Sequence, residues 1–301
     1  MSALDRLPCT NGPKLADGMP RQLRTEVRAT NMTESTATPT MAESFHEVVQ
    51  YRDLLYMLTW RDIKARYKQS MMGFFWAILM PLLIVGAGVL VQLAFSMTSG
   101  RHINLTALSS IALKSLPWAF FVSAIKFGTS SMVGNPNLVT KIYFPREVFP
   151  LAAVLASLFD ATIASSVIIV LLVVGRVGIS VQLLWVPLIL VLIVLFTASL
   201  TMFLSCANLF FRDVKYLVDV AMTFGIFFTP VFYNARMLGK WAPLLLLNPL
   251  GSLLEALNNT VVLHQPPSLY WLGYAACWAT LGLLAAWRIF DRAEASFAEA
   301  I

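Results

Sequence analysis

The chain has 301 residues, 58% of them hydrophobic and 13% charged, with a mean hydropathy of +0.71 and a formal net charge of +6. Soluble domains carry about 45–50% apolar and about 25% charged residues, so this composition excludes an ordinary soluble protein and requires an integral membrane one. The excess of cations is not gathered into one patch but divided among the ends of apolar runs, which argues for membrane flanks and against a nucleic-acid surface.

Residues 1–44 are rich in Thr, Pro, Asn and mixed charge and contain no apolar core. They read as a disordered leader and not as a cleavable signal peptide, and Met32 and Met41 each precede a plausible alternative start. Residues 45–70 follow as an interfacial helix. Val48, Tyr51, Leu55 and Leu58 recur at spacings of three and four, and Arg61, Lys64, Arg66 and Lys68 then crowd its end.

Residues 71–290 form the transmembrane domain. Six segments approach the roughly 20 apolar residues that a helical span needs: about 72–96, 111–131, 150–174, 183–208, 216–233 and 268–288. The second is interrupted by Lys114, Pro117 and Lys126, and the fifth is short. Between spans five and six, Asn248, Pro249 and Gly251 divide an apolar stretch into pieces too short to cross the bilayer. A re-entrant hairpin over about 237–262, entering from the outer face, is expected there, its irregular turn buried in protein or facing a water-filled cavity. The fold class is therefore an all-α membrane protein with six spans, an N-terminal interfacial helix and an outer-face hairpin, followed by a cytoplasmic tail, 291–301.

Placing both termini in the cytoplasm puts eleven flanking cations inside and leaves Arg101, Arg176, Arg236 and Lys240 outside. The excess of Lys and Arg in cytoplasmic loops selects this orientation.

Chemistry-bearing motifs are few. His46, His102 and His264 are scattered, no His/Cys cluster has metal spacing, and no G-x-x-x-x-G-K-[ST] loop occurs that could cradle a nucleotide. Cys206 and Cys277 lie in apolar runs and read as buried small hydrophobes. The intramembrane polar residues are Asp160, Lys126 and Glu255. Asp160 stands about twelve residues into span three, roughly 18 Å at 1.5 Å per residue. A bond to a nearby Ser or Thr or a pair with Lys126 would explain it; a proton or ion site and a pore-lining role remain alternatives. Lys114 is expected to snorkel from the outer end of span two.

The loop from Gly134 to Glu147 carries Asn135 and Pro136 in positions suited to a helix cap and first turn, with Pro145 as a stop. A short rigid helix exposing Leu138, Tyr143 and Phe144 for docking is expected. Phe74, Trp76, Phe224, Phe227, Phe228 and Tyr233 are either membrane-facing aromatics or a ladder along a pore.

Four runs in order, WRDIKARYKQSMMGFFWAILMPLL, NPNLVTKIYFPREVFPLA, NLFFRDVKYLVD with FFTPVFY, and LNPLGSLLEA, resemble type-2 ABC exporter permeases. Within these the chain is similar to the subgroup exporting O-antigen, capsule and teichoic-acid polysaccharides. The resemblance covers about residues 45–290. It implies a half-transporter in the bacterial inner membrane, two copies of which form the channel and bind two copies of a separate ATPase that holds ATP and Mg. It implies that an undecaprenyl-linked polysaccharide crosses from the cytoplasm to the outer face. It further implies a coupling helix at Asn135, Pro136, Asn137, Leu138, Lys141, Tyr143, Phe144 and Arg146 and gate helices at 237–262, with no catalytic residues in this chain. A drug or lipid exporter of the same superfamily and a membrane-embedded glycosyl- or acyltransferase are the alternatives.

Overall fold

A backbone withdrawn from water must satisfy its own N–H and C=O groups, and long apolar runs do so as helices. The computed structural model describes residues 47–68, 73, 75–99, 105–136, 138 and 145–294, and among these all regular structure is helical, with no strand. The helices are α1 (Arg52–Tyr67), α2 (Phe75–Ser99), α3 (Leu105–Thr129), α4 (Val148–Val174), α5 (Val186–Phe210), α6 (Val214–Phe228), α7 (Ala242–Leu246), α8 (Pro249–Val261) and α9 (Leu269–Glu294). Short 3-10 turns, Val181–Trp185 and Ala235–Trp241, precede α5 and α7. Five of these helices, α2, α3, α4, α5 with its leading turn, and α9, are long and apolar enough to cross a membrane.

The helix read as interrupted is the most enclosed of the five. In α3, 72% of the most apolar stretch is buried, against 11–33% in the other four. It begins at Leu105 and not near 111, and it packs along α4 and α5 while also touching α2, α6 and α8. Lys114, Ser109, Ser110 and Ser115 are tolerated because they are buried against other protein elements. Close approach is built in: a Cβ at Gly128 would lie 1.9 Å from the Thr201 methyl of α5, and one at Gly88 2.5 Å from Ile111. Small residues at such crossings bring membrane helices into backbone contact.

The bundle has two ends. At the first, Val48, Leu58, Met132, Phe149, Leu209, Trp287 and Phe290 form one buried cluster. It joins the start of α1 to the last turns of α9, so both described termini lie at this end. At the second, Ser109 closes on Gly175, and His264 approaches Gly178. Of the expected stripe, Val48 just ahead of α1 and Leu55 and Leu58 within it pack into the first-end cluster, whereas Tyr51 is exposed; Ile63 of α1 is also buried. Cys206 is buried as read; Cys277 faces outward from α9, because only one side of that helix rests on α5.

α6 has only 15 residues, about 22 Å of helix. Its last carbonyls give way to Thr229–Asn234, which is stitched to the next elements by side chains. Asn248 Nδ2 donates to Thr229 Oγ1 at 3.0 Å, and Asn248 Oδ1 caps α8 by accepting from Leu250 N at 3.1 Å. With Pro249 in its first turn, α8 starts where the Asn-Pro pair predicts, and every residue from Leu250 to Val261 is buried.

Candidate functional site

A cavity of about 1150 Å³ opens between α1, α2, α3, α4 and α6. Its walls are apolar along α2 and α6, where Trp76, Pro81, Ile84, Met222 and Ile226 line it. Toward the first end it carries three cations, Arg66, Lys126 and Lys215, and three carboxylates, Asp62, Asp160 and Asp219.

These charges are largely paired. Arg66, one residue from the end of α1, forms an ion pair with Asp160 of α4, and the Tyr67 hydroxyl donates to the other Asp160 oxygen. Arg66 also donates to Ser157 Oγ at 3.3 Å, and its guanidinium stacks 3.9 Å from the Phe127 ring centre. Burial, reinforced by the Asp160 hydrogen bond, pushes the Tyr67 phenol above its ordinary pKa, so it remains a donor. The Asp160–Lys126 pair expected from sequence does not form, because Lys126 turns to Asp219 of α6 at 3.2 Å. The first turns of α4 pack against α1, and the end of α1 lies beside Asp160.

Lys114 is likewise corrected. It does not snorkel: its side chain is fully buried, donating to the Tyr233 carbonyl at 2.6 Å and to Asn234 Oδ1 at 3.0 Å. Glu255 of α8 faces it at 3.7 Å. Starting α3 at Leu105 moves Lys114 away from the helix end and into the protein.

The loop expected to form a docking helix is described only in part. Leu138 N donates to the Asn135 carbonyl at 3.1 Å, as a first turn would require, but Asn135 Nδ2 turns back to the Ser131 carbonyl at 2.8 Å. The side chain thus closes the end of the preceding segment. Pro136 is exposed, whereas Leu138 is half-buried against the first-end cluster and is not the free apolar surface that its sequence context suggests. Arg146 is half-buried; Asn137, Lys141, Tyr143 and Phe144 lie outside the described residues. Behind this loop, Asn208 of α5 donates to the Thr129 carbonyl at 2.9 Å and accepts from Lys215 N at 3.2 Å, locking the ends of α3, α5 and α6 together.

Among the aromatic candidates, Trp76 lines the cavity and Phe74 lies outside the described residues. Phe224, Phe227 and Phe228 project from α6 at 58%, 63% and 72% exposure, and Val218 alone is buried on that helix. Tyr233 folds back to donate to the Phe227 carbonyl at 2.9 Å. On the interfacial helix, Arg61 pairs with neighbouring Asp62 at 2.9 Å and Lys64 lies 5.5 Å from the Trp60 ring. Among the described residues no group of three His, Cys, Asp or Glu side chains could hold a metal.

Sequence reading overlooked Tyr67, Ser157, Asp219, Asn208 and Asn234. Asp219 carried a local signal, since it follows Lys215 at helical spacing. The others acquire their meaning from partners 7 to 120 residues away.

Residues 53–262, from α1 to the end of α8, match the ABC-2 type transporter family. The chain belongs to that family. As an ABC-2 type transporter it is 30% identical to the O-antigen export system permease protein RfbA of Myxococcus xanthus over 270 residues, 87% of this chain and 100% of that protein. Two RfbA proteins of Klebsiella pneumoniae are 30% and 31% identical to it over 255 residues, 82% of the chain and 94% of each relative. The matched region of this transporter contains the cavity, both sets of buried charges and the partly described loop.

Proposed function

We propose that this chain is the permease half of an exporter that moves an undecaprenyl-linked, O-antigen-like polysaccharide from the cytoplasm to the outer face of a bacterial inner membrane. The observation carrying the proposal is similarity to three O-antigen export permeases over more than four-fifths of the chain. Two copies work together with two copies of a separate ATPase; the 301 residues contain no phosphate-cradling loop of their own.

Six crossings with both termini in the cytoplasm fit the common position of the start of α1 and the end of α9. In this reading the first end is cytoplasmic, α6 completes the fifth crossing with the Thr229–Asn234 segment, and α7 and α8 re-enter from outside. The loop from Asn135 through Asn137, Lys141, Tyr143 and Phe144 to Arg146 seats on the ATPase. The exposed face of α6, with Phe224, Phe227 and Phe228, meets the second copy and lines the path together with Trp76 and Tyr233. Apolar and aromatic walls suit sugar rings, which present flat C–H faces to π-systems. The cavity receives the substrate.

The test is deletion of this gene in a bacterium that assembles one defined O-polysaccharide. Lipid-linked glycan should accumulate inside the cell and vanish from its surface, and the wild-type gene should reverse both. Undiminished surface glycan, or a defect confined to drug resistance, would overturn the proposal.

A further inference from the structure

A single ammonium group holds three elements in register. Lys114 on α3 donates to Tyr233 and Asn234 in the segment after α6, and it faces Glu255 on α8. Asn258, one turn beyond Glu255, donates to the same Asn234 oxygen at 3.4 Å. The cluster is enclosed: Lys114 and Asn258 are fully buried, and Glu255 is 5% exposed.

The carboxylate in this cluster is under-used. Among the described residues nothing donates a hydrogen bond to either Glu255 oxygen, and Oε2 stops 3.7 Å from Lys114 Nζ, within ion-pair range but beyond bonding distance. A buried acceptor without a donor is costly, and its persistence needs a reason. An ammonium has three donors, of which two are committed to Tyr233 and Asn234. Charge-assisted N–H···O bonds close at about 2.7–2.9 Å, so relative movement of about 1 Å between α3 and α8 would complete one. The cluster therefore has two arrangements available: the observed one, held by Tyr233 and Asn234 with the third donor unspent, and one in which Glu255 takes that donor.

α3 connects this cluster to the other end of the molecule. It runs as one helix from Lys114 to Thr129, roughly 23 Å. Its end continues through Gly134 into the Asn135 turn. Packed interiors convert small shifts into such discrete changes because they do not deform continuously.

We propose that Lys114 is a positioning residue that ties α3 to the outer-side helices, taking up Glu255 as a third partner beside Tyr233 and Asn234 as the transporter passes between its nucleotide-free and ATP-bound states. The proposal rests on the exporter reading above for its partner ATPase, but it does not depend on which substrate travels.

The experiment uses the full permease co-purified with its ATPase in lipid nanodiscs. It carries Leu244→Cys on exposed α7, with Cys9 and Cys277 changed to Ala and buried Cys206 retained. Maleimide labelling of residue 244 is compared without nucleotide and with ATP trapped by vanadate. The wild-type background should show a change of about fivefold or more, the lower range of allosteric couplings. Glu255→Gln keeps shape and leaves both observed Lys114 bonds in place but offers the ammonium only a neutral acceptor, so it should sharply reduce that change while ATPase binding persists. Lys114→Met should do the same, Lys114→Arg should restore part of the response, and the Lys114→Glu, Glu255→Lys exchange should not, because a carboxylate cannot donate to the Tyr233 carbonyl. Should Lys114→Met fail to insert, Glu255→Gln decides. An unresponsive wild type, or Glu255→Gln and Lys114→Met with wild-type labelling, would overturn the proposal. A responsive wild type that moves no glycan would leave the Glu255 engagement standing and remove the polysaccharide reading.

Discussion

Lys114 and Lys126 stand on the same helix, yet their surroundings differ sharply. Lys126 meets Asp219 at the edge of the cavity, with side chains 39% and 47% exposed. Lys114 is fully enclosed and is held by a carbonyl, an amide and a distant carboxylate. Between them in exposure lies Arg66–Asp160, at 13% and 18%. Water screens an exposed pair and leaves it worth little, whereas an enclosed charge that loses a partner stays uncompensated. The ABC-2 transporter thus carries charges that merely shape its cavity and charges on which helix positions depend.

Breaking the enclosed pair should cost most. Lys114→Met leaves the Glu255 carboxylate facing a thioether and frees the Tyr233 carbonyl, a loss of about 3–5 kcal/mol for one partner of a buried pair. Thermal unfolding in detergent should show a large drop, while Lys114→Met combined with Glu255→Leu should recover part of it. If the single and double variants melt together, the ion pair is not what holds these helices.

At the crossing of α3 and α5, Gly128→Val would push a branched side chain into Thr201, where even a Cβ stands 1.9 Å from a methyl. Overpacking of this kind costs about 1–3 kcal/mol. Pairing Gly128→Val with Thr201→Ala should relieve it, and unfolding curves of the three proteins would reveal the compensation. Equal stability of Gly128→Val and wild type would show that the helices can separate there.

Asp160→Asn sharpens the middle case. The amide oxygen can still accept from Arg66 or Tyr67, so about 1–2 kcal/mol should be lost, the difference between a charged and a neutral hydrogen bond. Limited proteolysis of α1 reports this more directly than melting does, because α1 leans on α4 through this contact. Unchanged cleavage within α1 would show that its apolar contacts suffice.

Smallest of all should be the Lys126–Asp219 pair. A double-mutant cycle with alanine at both positions should return a coupling of about 0.2–1 kcal/mol, shrinking further in high salt. A coupling as large as that of Lys114 would erase the distinction.

What the sequence revealed and what it hid divide along the same line. Helices were legible wherever apolar length alone decides, and the Asn248-Pro249 start of α8 was legible because capping is a property of adjacent residues. The cavity charges were visible as residues but not as pairs. Asp160 finds Arg66 across 94 positions, and Lys114 finds Tyr233 across 119. Lys114 was misjudged through a boundary: a start near 111 puts it beside water, whereas the observed start at Leu105 puts it inside. Leu138 was misjudged because no local pattern reveals that Phe290 and Trp287, at the far end of the chain, help to build the cluster it rests on.

The central claim, that this chain exports lipid-linked polysaccharide with a separate ATPase, is most directly tested in proteoliposomes holding purified permease and ATPase, with ATP supplied on one side. A lipid-linked glycan with a fluorescent tag is loaded into the same leaflet, and its appearance on the opposite face is followed by protection from an added glycosidase. The account predicts ATP-dependent protection that requires both proteins and is lost with a hydrolysis-deficient ATPase. Protection that develops without ATP or without this chain, or a complex that hydrolyses ATP and moves no glycan, would contradict it.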